Sequence, residues 1–142
     1  MSAAEHTSVE LVERLRVIKG LCEEIANRLE DEASSLTIPR NYEYDGRHTA
    51  LFAIAGEIEQ TMRELPGISD SEKLNERIQL LFSQIEARKR QHQEEQERNY
   101  EYRHNFRLSG LYFTSRGVIA GCDKALEWLR ESLKSAGYPQ QT

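Results

Sequence analysis

Residues 11–29 have the sequence LVERLRVIKGLCEEIANRL, which places its large apolar residues on one side of a helix. Steps of four and three residues separate the members of this stripe, which are Leu11, Leu15, Ile18, Cys22, Ile25 and Leu29. Such spacing is typical of a helix that packs against other helices along a narrow apolar seam. It predicts a first helix over residues 8–33, opened by a capping box of Thr7 and Glu10.

Two further segments repeat this spacing. A second helix is predicted over 47–65, with Asp45 as its cap and a Pro-Gly pair after its end. A third helix is predicted to open at a capping box of Ser69 and Glu72, and its apolar seam continues as far as Ile85.

The charged run 86–97 follows that seam and contains no large apolar residue. Its residues favour helix, so the third helix either continues through the run with solvent on all sides or breaks there into a mobile charged loop. The composition leaves both open, and His92 is expected to be solvated in either case. A continuous third helix would project beyond the second, which predicts a homo-oligomer.

A fourth helix is predicted over 108–136, because Gly137 and a following proline are typical of a helix end. Gly117 and Gly121 lie one turn apart and predict the close approach of a neighbouring helix. The predicted seam of this helix consists of Leu108, Tyr112, Ser115, Ile119, Cys122, Leu126, Leu129 and Leu133.

Four seamed helices with short connections predict an all-α fold, an antiparallel up-and-down four-helix bundle with one long, charged third helix. We expect a single helical domain over 1–142, helical for roughly three quarters of its length, with flexible ends at 1–7 and 138–142. The formal net charge of −5 makes a general nucleic-acid-binding role less favoured.

The composition also bears on location and redox state. No signal peptide and no apolar run long enough to span a bilayer is predicted, so we expect a cytoplasmic protein without membrane contact. Cys22 and Cys122 lie on predicted seams and are interpreted as reduced core thiols. A disulfide or a metal pair is the alternative.

The pentapeptide Arg-Asn-Tyr-Glu-Tyr occurs at 40–44 and again at 98–102, and an Arg-His pair closely follows each copy. In up-and-down topology the first and third interhelical junctions lie at one end of the bundle, so the two copies are expected to converge there. We call the resulting candidate binding residues the Arg/Tyr pole. They are Arg40, Tyr42, Tyr44, Arg47, His48, Arg98, Tyr100, Tyr102, Arg103 and His104.

Arginine offers a planar fork for carboxylate or phosphate, and tyrosine adds stacking area, so this combination is typical of recognition surfaces. It indicates a non-enzymatic binding protein, such as an adaptor, inhibitor or regulator. The acidic chain favours a partner protein, whereas the basic pole favours an anion such as a nucleotide or RNA. Alternatively, the tyrosines cap the core and the arginines pair internally with Glu43, Glu97 and Glu101.

The spacing of Arg98 and His104 resembles the active-site motif of HEPN domains, which are small helical bundles that often act as ribonucleases. The resemblance implies that His104 is the acid–base and that Arg98 stabilises charge on the phosphate. It also implies a composite site in a homodimer. The alternative function is therefore a HEPN-like ribonuclease or nucleotide-binding module of a defence or toxin system.

Two carboxylate-x-x-His pairs, Asp45 with His48 and Glu101 with His104, have the spacing used in di-iron bundles. No seam position on the first or third helix is a clear inward glutamate, so no metal and no cofactor is expected. The chain also contains no glycine-rich phosphate loop, Cys-x-x-Cys cluster or nucleophile elbow. Apart from the HEPN-like pair, no catalytic residue is predicted, and an enzyme is less favoured than a binding protein.

Overall fold

A computed structural model describes residues 3–140. It contains the helices α1 (Ala3–Ala33), α2 (Arg40–Glu64), α3 (Ser71–Arg98) and α4 (Ser109–Lys134), and the described part has no strand. Short 3-10 turns follow α2 and α3. The all-α four-helix prediction is confirmed. Helix covers 84% of the residues that the structure describes, which exceeds three quarters because two helices begin earlier than predicted.

The beginning of α1 differs from the predicted one. Thr7 lies inside the helix, and its hydroxyl donates to the carbonyl of Ala3 at 2.9 Å, so the capping box of Thr7 and Glu10 is wrong. Alanine and glutamate before Thr7 are good helix formers and extend the first turns. Residues 3–7 therefore belong to α1, whereas 1–2 lie outside the described residues. The flexibility predicted for this end stays a prediction.

At the other end of the chain, Tyr138 is buried against the core. The backbone N–H of Gln140 donates to Oδ1 of Asn75 at 2.7 Å, which attaches the C-terminal segment to α3. Residues 141–142 lie outside the described part. The flexibility predicted for 138–142 likewise stays a prediction.

The beginnings of α2 and α3 also differ from the predicted ones. α2 begins at Arg40, so Asp45 lies within the helix and does not cap it. α3 is capped by Asp70, whose Oδ1 accepts the backbone N–H of Glu72 at 2.8 Å, so Ser69 is not the capping residue. A shared preference of serine and aspartate for the cap position makes such a one-residue shift hard to predict.

The charged run 86–97 is helical throughout, which answers the question that its composition left open. It is not solvated on all sides, because it packs against α4. Lys89 Nζ lies 2.7 Å from Asp123 Oδ1, and Nδ1 of the half-buried His92 lies 3.4 Å from Ser115 Oγ. With 28 residues in α3 and 25 in α2, α3 is about 5 Å longer, so the expected projection beyond α2 is small.

Each helix is antiparallel to the next, as predicted. Glu64 at the end of α2 pairs with Arg77 early in α3, and Glu57 pairs with Arg88 about three turns further along α3. The parallel pair, α2 and α4, makes the most extensive contact in the molecule. The bundle is therefore flattened, with α2 and α4 in the middle and α1 and α3 on the flanks.

Glycines make the contact between α2 and α4 close. A Cβ at Gly117 would lie 2.0 Å from the carbonyl oxygen of Glu43, and a Cβ at Gly46 would lie 2.1 Å from that of Thr114. A Cβ at Gly121 would lie 3.0 Å from the Ala50 Cβ. The packing role predicted for Gly117 and Gly121 is confirmed, and Gly46 on α2 is their counterpart.

The core lies between the four helices and contains the predicted seam residues of α1 except the half-buried Ile25, which packs against it. In α4 the seam departs from prediction, because Val118 is buried, Ile119 is half-buried and Leu108 is 41% exposed. Cys22 and Cys122 are buried free thiols, and burial raises their pKa to about 12 and about 11. Among residues 3–140, none of the helices combines the length and the apolar character that a bilayer crossing requires.

Candidate functional site

Both copies of the pentapeptide lie beside the first turns of α4. The Tyr42 ring covers Gly110, with Cε1 3.0 Å from the position that a Cβ would take there. The ring of Tyr100 meets the ring of Tyr112 edge-on, at 6.0 Å between centroids. Because Gly110 and Tyr112 are two residues apart in one helix, the copies share one end of the bundle.

The first copy is part of α2 and faces the interior. Tyr42 and Tyr44 are half-buried, and Tyr44 packs against the core. The Arg40 guanidinium lies 5.9 Å from the centre of the Tyr44 ring. His48 turns toward α1, where its Nδ1 lies 2.7 Å from the carbonyl oxygen of Ala26.

The second copy begins at the last residue of α3 and continues as a 3-10 turn. Its Tyr100 is 54% exposed. The Arg103 guanidinium lies 3.6 Å from the centre of the Tyr100 ring and donates to the Tyr100 carbonyl at 2.8 Å. These two contacts hold an exposed tyrosine and an arginine in one fixed arrangement.

Exposed apolar side chains extend this arrangement into the start of α4. Phe106 is 78% exposed, the highest value among the large apolar residues that the structure describes, and Leu111 is 59% exposed. We define the end surface as Arg98, Tyr100, Arg103, Phe106, Arg107 and Leu111. Sequence reasoning missed Phe106 and Leu111, although both are apolar residues outside the seam and close to the second copy.

Asn105 shapes the loop that presents Phe106. Its Oδ1 accepts the backbone N–H groups of Arg107 at 2.9 Å and Leu108 at 3.1 Å. Its carbonyl accepts the N–H of Ser109 at 2.8 Å. Asn105 thus caps the turn that leads into α4 and leaves Phe106 on the outside of that turn.

The charges of this region are mostly unpaired. Of Glu43, Glu97 and Glu101, only Glu43 forms an ion pair with a residue in the described part of the chain, namely Arg116 at 3.6 Å. Within the described residues, the side chains of the exposed Arg98 and Arg107 form no hydrogen bond or ion pair. Residues 98–107 contain three arginines and one glutamate, which gives a local formal charge of +2 in a chain of −5. The internal pairing considered for the sequence is therefore absent from the second copy.

The HEPN-like pair also lies at this end. His104 is exposed, as is Arg98, and the described residues offer His104 no hydrogen-bond or ionic partner. The two side chains are accessible from solvent, and the 3-10 turn Tyr100–Tyr102 lies between the two residues in the chain.

A polar cluster of Ser115, His92 and Glu95 links α3 to α4. The Ser115 hydroxyl donates to Glu95 at 3.3 Å, and the same Glu95 oxygen lies 3.4 Å from Nδ1 of His92. Ser115 is 97% buried, with 3% of its surface exposed, so the cluster joins two helices and does not present a nucleophile. Among residues 3–140, no group of three His, Cys, Asp or Glu side chains is placed to hold a metal ion.

Comparison of the chain with models of protein families, with curated proteins and with solved structures found no match.

Proposed function

We propose that this protein acts by binding a partner protein through the end surface. The observation that carries the proposal is the exposure of Phe106, Leu111 and Tyr100 beside arginines without ionic partners. Large apolar side chains grouped on a surface are typical of interaction sites, and tyrosine and arginine are enriched among the residues that dominate binding energy.

The arrangement of these residues supports binding in a second way. Arg103 and Tyr100 contact each other before any partner arrives, and Asn105 holds the loop that carries Phe106. Side chains that are already ordered lose less conformational entropy on association. The surface is therefore suited to a partner that combines apolar side chains with negative charge, and a nucleotide or RNA is the second candidate.

Co-purification with matched variants tests the proposal. Tagged wild-type protein is compared with the double variant Phe106→Ser, Leu111→Ser and with the control Val17→Ser, which changes a valine that is 69% exposed on α1. Nuclease treatment of half of each sample separates protein from nucleic-acid partners. We expect a protein that the wild type and Val17→Ser retain and the double variant loses. Equal recovery with all three proteins would exclude the end surface as the binding site.

The same variants test self-association. If the partner is a second copy of the chain, light scattering at tens of micromolar will show a dimer for the wild type and Val17→Ser. The double variant will then be a monomer. If the wild type is a monomer under these conditions, the proposed partner is a different protein.

A ribonuclease is the second candidate, favoured by the exposure of both Arg98 and His104, which are six positions apart in the chain. Total RNA is incubated with wild-type protein and with His104→Ala, since histidine would perform the proton transfer. On the binding proposal, the RNA remains equally intact with both proteins. Cleavage by the wild type alone would replace the binding proposal with an enzymatic one.

A further inference from the structure

Two adjoining hollows lie at the side of the bundle, where α1, α2 and α4 meet. They have volumes of about 360 Å³ and about 270 Å³ and share Arg47 and Ala120. We call them together the side hollow. The larger part is lined by Ile25, Arg47, Leu51, Ala120, Lys124 and Trp128, and the smaller by Glu43, Tyr44, Arg47, Arg116, Gly117 and Ala120. No residue of the end surface lines it.

The walls of the larger part are apolar and aromatic. Ile25 and the half-buried Trp128 both pack against the core, so their positions are supported from behind. Leu51 is fully buried and closes the bottom. Such a combination of fixed apolar walls and few polar groups is typical of sites that bind small molecules.

The polar groups of the side hollow are predominantly cationic. Arg47, Arg116 and Lys124 face one acid, Glu43, which gives a formal charge of +2 in a chain of −5. Glu43 lies 3.6 Å from Arg116, and Lys124 lies 3.6 Å from the exposed Glu127 and 5.9 Å from the centre of the Trp128 ring.

Arg47 differs from these cations because its side chain forms no hydrogen bond or ion pair with any described residue. Its Cγ lies 3.5 Å from the position that a Cβ would take at Gly121, so the stem of the side chain rests on the glycine. Arg47 is exposed and lines both parts of the hollow, where its guanidinium can form a bidentate pair with an anion.

We propose that the side hollow binds a small planar aromatic anion. The ring packs against Trp128 and Ile25, and the carboxylate or phosphate pairs with Arg47. The volume matches the lower end of the range for small-molecule sites, which is roughly 300 Å³ and above. Carboxylate and phosphate share the geometry that the guanidinium recognises, and the titrations below distinguish them. The site is separate from the proposed end-surface activity.

Trp128 is the only tryptophan of the chain, so its fluorescence reports on the side hollow specifically. Phenyl phosphate and benzoate serve as aromatic anions, inorganic phosphate as an anion without a ring, and benzyl alcohol as a ring without charge. We expect a saturable change in Trp128 emission with the aromatic anions. The other two compounds should need at least tenfold higher concentrations. The tighter of phenyl phosphate and benzoate identifies the anionic group.

Three variants assign the binding to the side hollow. Arg47→Gln keeps most of the stem and removes the charge, and we expect at least tenfold weaker binding. Ala120→Leu fills the space common to both parts and should abolish binding, while circular dichroism and thermal unfolding check that each variant is folded. Arg98→Gln removes the same charge from the end surface and should leave the affinity within twofold of the wild type.

The proposal is overturned if the wild type shows no saturable change at about 10 mM of either aromatic anion, far above the affinities of specific sites. It is also overturned if Arg47→Gln and Arg98→Gln weaken binding equally, since that result would reflect net charge alone. Loss of the end-surface partner without a change in these titrations would affect only the proposed function.

Discussion

The same five residues, Arg-Asn-Tyr-Glu-Tyr, adopt two different structures in this molecule. The first copy is helical and lies in α2 against α4, whereas the second unwinds into a 3-10 turn and exposes Tyr100. Their local preference for helix is identical, so the difference comes from the residues that follow and from tertiary contacts. Gly46 after the first copy permits the contact with α4, and Asn105 after the second caps a new turn.

This difference separates a structural copy from an exposed one. The backbone of the first copy lies against Gly117, and its Tyr44 side chain packs against the core, so this copy supports the fold. The second copy contributes the ordered pair of Arg103 and Tyr100 to the end surface. A repeated sequence therefore marks one end of the bundle without implying that both copies perform the same task.

The largest expected effect is that of Gly117→Ala, which breaks the contact of the first copy. The new Cβ would lie 2.0 Å from the carbonyl oxygen of Glu43, and a backbone atom cannot move aside as a flexible side chain does. We expect the free energy of unfolding in urea to fall by about 3 kcal/mol, the upper range for overpacking.

Gly20→Ala is the matched control, because this exposed helical glycine has nothing within 4 Å of its Cβ position. It should raise the free energy of unfolding by about 0.5–1 kcal/mol through helix propensity alone. If Gly117→Ala behaves like Gly20→Ala, the close contact between α2 and α4 does not exist.

The second prediction compares the equivalent tyrosines. Tyr42→Ala should lower the free energy of unfolding by about 2 kcal/mol, roughly half the cost of truncating a fully buried aromatic residue. Its ring covers Gly110 and is half-buried, whereas the Tyr100 ring is 54% exposed. Tyr100→Ala should cost less than about 1 kcal/mol. Equal losses of stability would contradict the division between the copies.

For partner binding, the order of the two tyrosine variants should be reversed: Tyr100→Ala should have the larger effect and Tyr42→Ala the smaller. Once a partner is isolated, Tyr100→Ala should weaken its affinity at least tenfold, or about 1.4 kcal/mol, whereas Tyr42→Ala should leave the affinity within twofold. Titration calorimetry with both variants measures this, at a temperature at which both are folded.

Much of the fold could be predicted from local sequence patterns. The structure differs from the prediction where contacts between distant parts of the chain determine the conformation. The seam of α1 and the packing glycines Gly117 and Gly121 were predictable, because spacing on one helix determines which side is apolar or flat. The beginning of α2 was not predictable, since it depends on the fit of Gly46 against Thr114 in a distant helix. Asp45 resembles a cap locally, and no local signal excludes that interpretation.

The candidate site was predictable to a similar degree. The repeat pointed to Arg98, Tyr100 and Arg103, which lie in the end surface. Phe106 and Leu111 required the structure, because exposure of an apolar residue depends on how the preceding turn is built. The side hollow was not predictable, since Arg47 and Trp128 come from helices that only the tertiary fold brings together.

The fourth prediction concerns the turn that follows the second copy. Asn105→Ala removes the acceptor for two backbone N–H groups and should lower the free energy of unfolding by about 1 kcal/mol. Asn105→Asp keeps an acceptor at this position and should restore most of that loss. If neither substitution changes the thermal midpoint, the turn does not stabilise α4.

The smallest expected effect belongs to the contact between Arg103 and Tyr100. A cation above an exposed ring stabilises by about 0.5–1 kcal/mol, and the guanidinium lies 3.6 Å from the ring centre. A double-mutant cycle of Arg103→Gln and Tyr100→Leu should yield a coupling of about 0.5 kcal/mol in the free energy of unfolding. This value is at the lower end of the range because Arg103 also donates to the Tyr100 carbonyl, a bond that does not depend on the ring and that Tyr100→Leu leaves in place. The same cycle on Arg40 and Tyr44 of the first copy should yield a smaller coupling, because that guanidinium lies 5.9 Å from its ring. A larger coupling in the first copy would reverse the comparison, for it would place the ordered Arg–Tyr pair in the copy that faces the core.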